Sequence, residues 1–212
     1  MALYQEARGC TRCALHQGRT RVVFGAGNAD ADLMFVGEAP GQQEDLQGLP
    51  FVGRAGKLLD QLLGEVGLER ADVFITNVLK SRPPGNRDPQ LDEIDACKPY
   101  LHRQVELIEP RVICTLGNFA TKLLTRSQRG ITSVHGRPQV HELGGRAVRV
   151  FPIYHPAAAL RSTNTLAELR EDFQRLPALL EEPPPVPIGA VAPVAAIAAQ
   201  PAPAPPQINL FD

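Results

Sequence analysis

Four short apolar runs constrain this chain more than any other feature: LMFVG (33–37), VFITNV (73–78), RVICTLG (111–117) and AVRVFPIYH (147–155). Stretches with helical patterning separate them. Gly53 to Val66 places Leu58, Leu59, Leu62, Leu63 and Val66 on one face of a helix. Asp88-Pro89 opens a second helix that runs to about Ile108. A short helix follows the third run to about Thr125, and a closing helix spans Leu166 to Leu180. Strand–helix alternation predicts an α/β fold with a parallel sheet covered on both faces. Ligands of such sheets sit at the carboxyl ends of the strands. The residues to inspect are therefore Gly37-Glu38-Ala39-Pro40-Gly41, Asn77, Gly117-Asn118 and His155-Pro156.

The chain is 43% hydrophobic, which suffices for a core and excludes wholesale disorder. No apolar run reaches the ~18 residues of a membrane helix, and the N-terminus shows no secretory pattern. The expectation is a soluble, cytoplasmic, monomeric protein with no membrane partner. The net charge of −1 argues against a broadly basic nucleic-acid coat. Glu181, Glu182 and Asp212 are the only charges after Leu180, so the body carries a surplus of about +2.

The composition changes sharply near residue 181. Residues 1–181 read as one domain and residues 182–206 as a Pro/Ala-rich linker, since Pro removes donors and fixes φ. Residues 207–212, QINLFD, recover large apolar groups.

Cys10 and Cys13 form a C-x-x-C pair in a polar turn, whereas Cys97 falls in the second helix and Cys114 in the third strand. Disulfides are not expected inside a cell. Four thiolates could complete a zinc site or ligate a [4Fe–4S] cluster, and spacing alone does not choose between them. The pattern favours metal binding; a core role is plausible for Cys114 alone, within Val, Ile and Leu.

Four features in order carry a resemblance: GEAPGQQEDLQGLPFVGRAG (37–56), ITNVLKSRPPGNRDP (75–89), HPAAAL (155–160) and the cysteine pattern. Together they resemble family 4 uracil-DNA glycosylases, the iron–sulfur branch of that superfamily, over nearly all of residues 1–180. The resemblance implies a three-layer α/β/α sandwich around a four-stranded parallel sheet. It also implies a structural [4Fe–4S] cluster on Cys10, Cys13, Cys97 and Cys114. It places base stacking on Phe51, uracil reading on Asn77 and leaving-group stabilisation on His155. Glu38 matches the family glutamate, and Ala39 stands where other branches carry a water-positioning aspartate.

The chemistry agrees residue by residue. A base must leave the stack to be cut from its sugar. A carboxamide offers the donor and acceptor that uracil's O4 and N3–H require. A donor at O2 stabilises the departing anion. Without the aspartate, bond breaking should be dissociative, with water trapping an oxocarbenium-like sugar.

Lys80, Arg82, Arg87 and Arg161 are the expected DNA phosphate contacts, and Leu160 is the candidate wedge. The expected partner is uracil-containing DNA, single- or double-stranded, giving a nucleoid-associated enzyme of base-excision repair. The loop from Lys80 to Pro89 contains no His, so covalent trapping of the sugar is not expected. Lys80 is the only lysine near a strand end, so no lyase step is expected. Gln207, Leu210 and Phe211 resemble the short peptide by which bacterial proteins bind the DNA sliding clamp. A non-catalytic nucleic-acid-binding module fits the joint presence of Phe51, Asn77 and His155 less well, and the lack of a flavin or nicotinamide motif and of a second cluster pattern argues against an electron-transfer protein.

Overall fold

The computed structural model describes residues 1–186; the expected clamp peptide and all but the first residues of the linker lie outside them. Among these described residues, six strands form one sheet: β1 (Ala26–Gly27), β2 (Leu33–Gly37), β3 (Phe74–Asn77), β4 (Val112–Leu116), β5 (Gln139–Leu143) and β6 (Arg146–Ile153). Their order is β1-β3-β2-β4-β6-β5. The inner four, β3-β2-β4-β6, are mutually parallel and are the four apolar runs. The sheet is therefore mixed, because β1 and β5 add antiparallel edges. Neither edge strand has a continuous apolar run, since one face of each is wet and β1 is two residues long.

Among the described residues, ten α-helices connect or cover the sheet: α1 (Ala2–Arg8), α2 (Leu15–Gly18), α3 (Gln42–Gln47), α4 (Arg54–Glu65), α5 (Leu91–Ile108), α6 (Asn118–Thr125), α7 (Ile131–Val134), α8 (Pro156–Ala159), α9 (Thr163–Gln174) and α10 (Leu176–Glu181). Helix α5 starts three residues later than Asp88 suggests. The Glu93 carboxylate accepts the Gln90 N–H at 2.8 Å and sets the first turn there. The closing helix is two helices meeting at Arg175, just before Pro177, whose missing N–H cannot continue the ladder.

Alternation along each strand divides the core into two layers. Leu33, Phe35, Ile75, Val112, Cys114, Leu116, Phe151 and Ile153 face α4, α8, α9 and α10. Met34, Val36, Phe74, Ile113, Val148 and Val150 face α5 and α6. This is the expected three-layer α/β/α sandwich. Helix α4 buries Leu58, Leu59, Leu62 and Leu63 in the first layer, each contributing about 1.5–3 kcal/mol of transfer free energy. Strands β3 and β4 flank β2 on opposite sides, so the chain reverses direction across the sheet there. A crevice opens above the carboxyl ends at such a point.

Candidate active site

A cleft of about 420 Å³ occupies that crevice, with Glu38, Ala39, Glu44, Phe51, Asn77 and His155 among its walls. These residues come from the ends of β2, β3 and β6, from α3, which carries Glu44, and from the loop before α4. Gly117-Asn118, after β4, serves the fold instead. Gly117 (φ +87°) leaves room for His155, whose Cβ lies 3.0 Å from where a Cβ on Gly117 would sit. Asn118 Oδ1 accepts the Ile131 N–H that begins α7.

Asn77 closes β3 and is only 2% exposed. Its backbone pairs with Gly37 across the sheet. A Cβ on Gly37 would lie 2.4 Å from Asn77 Oδ1 and 2.7 Å from the Phe51 ring. Only glycine lets the carboxamide and the ring flank the same space. Among the described residues the Asn77 side chain makes no hydrogen bond, although burial favours pairing of such groups. It is a donor–acceptor edge held ready for a ligand.

Phe51 is buried and also joins the first core layer, so the core and pocket readings both hold. Its backbone is left-handed (φ 52°), a strained conformation for an aromatic residue. Three groups hold it there. Arg70 Nη2 donates to Phe51 O at 2.7 Å and to Pro50 O at 3.2 Å. Glu44 Oε1 accepts the Val52 and Gly53 N–H groups, both at 3.0 Å. Gly56 permits the close pass of α4, since a Cβ there would meet Phe51 O at 1.7 Å. The Phe51 and His155 rings stack with centroids 5.6 Å apart. Sequence reasoning did not single out Glu44 or Arg70. Their work is on backbone groups, which no residue pattern announces.

His155 caps α8. The Ala157 N–H donates to its Nδ1 at 3.1 Å. An accepting Nδ1 leaves the ring proton on Nε2. Burial pulls the imidazole pKa down to about 4, with the charge of Glu44 opposing weakly. At neutral pH the ring is therefore a neutral Nε2–H donor. Burial, with help from the charge of Asp88, pushes the Glu38 carboxyl up from its ordinary value.

Lys80 does not reach solvent and is not a phosphate contact. It is 3% exposed. Its Nζ donates to Thr76 Oγ1, Asn77 O and Gln104 Oε1, each at 2.7 Å. Desolvation lowers its pKa to about 7. The network continues through Gln104 Nε2 and Thr76 Oγ1, both donating to Phe24 O at 2.8 Å. Lys80 thus anchors the backbone of Asn77 from beneath. The i, i+3 return from Asn77 to Lys80 folds back onto the sheet rather than out into the loop.

The other expected DNA contacts lie at the surface. Arg87 borders the cleft and clasps the buried Glu93 carboxylate at 2.5 and 2.9 Å. Arg82 Nε donates to Asn86 Oδ1 at 2.7 Å. Leu160, 41% exposed, and Arg161 follow α8.

The four cysteines do not form one ligand set. Cys10, Cys13 and Cys97 lie close enough for their charges to influence one another. Cys13 packs on the layer that contains Cys97. Cys114 is fully buried in the opposite layer, where the charge of Asp172 acts on it. The parity of β4 explains this: Ile113 faces α5, so Cys114 faces away. Cys114 is the core residue that its Val-Ile-Leu setting allowed. Among the described residues, no group of three His, Cys, Asp or Glu side chains could hold a metal ion. A four-thiolate site on Cys10, Cys13, Cys97 and Cys114 does not fit this fold.

The uracil DNA glycosylase superfamily model matches residues 24–176. Three proteins named type-4 uracil-DNA glycosylase are similar over most of the chain. That of Sulfurisphaera tokodaii is 50% identical over 177 residues, covering 81% of this chain and 80% of the relative. That of Archaeoglobus fulgidus is 47% identical over 82% of this chain and 89% of its own length. That of Thermotoga maritima is 44% identical over 84% and 93%.

Proposed function

The chain belongs to the uracil DNA glycosylase superfamily, and we propose that it is a monofunctional uracil-DNA glycosylase that starts base-excision repair. One observation carries the reading: the buried Asn77 carboxamide, unpaired among the described residues, faces a cleft that Gly37 keeps open beside the Phe51–His155 stack.

Uracil flipped from the duplex or taken from a single strand lies against the Phe51 ring. The Asn77 amide donates to O4 and its carbonyl accepts from N3–H. Cytosine presents an amine at C4 and no proton on N3, so both bonds are lost and buried polar groups are stranded. The bond from N1 to C1′ breaks, and its electron pair moves onto the base toward O2. His155 Nε2–H meets that oxygen and stabilises the anion as it forms. Water then adds at C1′ and loses its proton, leaving an abasic site. Glu38, at the wall of the cleft, orders that water and the loop, and stabilisation of the leaving base rather than proton abstraction drives the reaction.

Arg82 and Arg161 contact phosphates, and Leu160 fills the vacated stack. Arg87 contributes with its charge shared by Glu93. Among the described residues no lysine lines the pocket, which supports hydrolysis without a lyase step. The resemblance to the iron–sulfur branch supports a structural cluster near the N-terminus; none of the steps above passes through it. Gln207, Leu210 and Phe211 form a clamp-binding tail, tested by titrating a peptide of residues 201–212 against the sliding clamp. No saturable binding at ~100 μM, which corresponds to about −5.5 kcal/mol, would remove that part.

The enzyme reading is tested with Asn77→Asp. A carboxylate offers no donor to O4, and loss of a built hydrogen-bond match costs on the order of 10⁴-fold. Uracil excision that survives the substitution within tenfold would overturn the assignment.

A further inference from the structure

With Cys114 on the far side of the sheet, the N-terminal site has three thiols and needs a fourth donor from elsewhere. The surroundings of Cys97 supply one. The Lys80 N–H points at Cys97 Sγ at 3.5 Å. The next residue, Ser81, is 4% exposed. Arg19 Nη1 donates to Ser81 Oγ at 3.4 Å, and its Nη2 donates to Arg8 O at 3.1 Å, two residues before Cys10. Arg19 thus ties Ser81 to the cysteine turn. On the other side of Cys97, Tyr100, one turn further along α5, lies near enough to Cys10 for the thiol to act on its hydroxyl. Leu15, just after Cys13, is buried against the same layer. Cys10, Cys13, Cys97 and Ser81 therefore border one region between the N-terminal turn, α5 and the end of β3. Among the described residues, the Ser81 hydroxyl proton has no acceptor.

We propose that this chain holds an iron–sulfur cluster through only three thiolates, Cys10, Cys13 and Cys97, with the Ser81 oxygen at the fourth iron and Cys114 uninvolved. The proposal rests on the iron–sulfur reading above. A cubane core spans several ångströms, so its donors surround a volume rather than converging on one point as for a single ion. Three soft thiolates and one hard oxygen make unequal corners. An alcohol gives up its proton far less readily than a thiol, so the Ser81 corner is the weak one. One-electron oxidation by ferricyanide takes [4Fe–4S]²⁺ to the 3+ level. That species sheds Fe²⁺ from the Ser81 corner and leaves [3Fe–4S]⁺, which balances iron and charge.

The test uses the full chain purified without oxygen, assayed for iron and acid-labile sulfide, then treated with one equivalent of ferricyanide and read by EPR. The wild type should fall from about four irons per chain to about three, with the sharp signal of an oxidised three-iron cluster. Ser81→Cys should keep its fourth iron and show no such signal. Cys114→Val, which suits a buried strand, should match the wild type in iron content and circular dichroism. Cys97→Ala should lose the cluster. A wild type that retains its fourth iron as firmly as Ser81→Cys overturns the proposal. So does a folded Cys114→Val protein as depleted of iron as Cys97→Ala. Wild-type protein with no iron or sulfide before oxidation instead overturns the iron–sulfur reading itself.

Discussion

The neutrality of His155 leads to a sharp prediction about pH. Its pKa of about 4, against an unperturbed value near 6.5, makes protonation in the fold about 3 kcal/mol harder than in water. At pH 7 only about one ring in a thousand is then charged. Protonating Nδ1 would also break the bond from the Ala157 N–H at the start of α8. If the neutral Nε2–H is the working donor, the single-turnover rate carries no His155 inflection between about pH 5 and about pH 9. Stability follows the same group. A depressed folded pKa contributes stability above the unfolded value of about 6.5, and that contribution is lost as pH falls toward about 4. His155→Ala removes one donor from the developing anion and should cost on the order of 10²–10³ in rate. The assay is rapid-quench excision from a uracil oligonucleotide across the pH range, with the ring tautomer read by nitrogen NMR. A rate that falls with rising pH around 6.5, and vanishes with His155→Ala, would mean that imidazolium is the catalyst and would refute the argument.

Three more outcomes follow from the same geometry. Gly37→Ala sets a methyl 2.4 Å from Asn77 Oδ1, about 1 Å inside normal contact. Displacement on that scale should cost about 10²-fold in excision, with a native circular dichroism spectrum. Lys80→Met leaves the Asn77, Thr76 and Gln104 acceptors without their shared donor, each worth about 1–3 kcal/mol if unsatisfied, so Tm falls and discrimination against cytosine weakens. The salt dependence of DNA binding stays unchanged, whereas loss of a phosphate contact would lower its slope by about 1. Single-turnover rates should show Glu38→Gln costing less than His155→Ala and Asn77→Ala together; the reverse order would make Glu38 the principal base.

The four central strands and the main helices were legible because they obey simple periodicities. Asn77 and His155 stood out at strand ends, where an α/β sheet exposes chemistry, and Phe51 stood out in the loop that follows the first motif; the structure brings the three around one cleft. Lys80 was misread as a phosphate contact because sequence shows that it follows a strand but not that the chain folds its stem back beneath Asn77. Cys114 was misread as a ligand because spacing along a chain does not reveal which face of a sheet a residue occupies; the parity of β4 decides it. Glu44 and Arg70 escaped notice because they hold the backbone around Phe51, and a residue that serves backbone groups leaves no motif. The antiparallel edges β1 and β5 lack the apolar runs that mark buried strands.

Excision from matched oligonucleotides that differ only in carrying uracil, thymine or cytosine at one position tests the central claim most directly. The purified full chain is incubated with each, and hot alkali then reveals abasic sites. Strand scission at uracil alone, abolished by Asn77→Asp, is the predicted result. Folded protein that leaves the uracil strand intact, or that releases cytosine as readily, would contradict it.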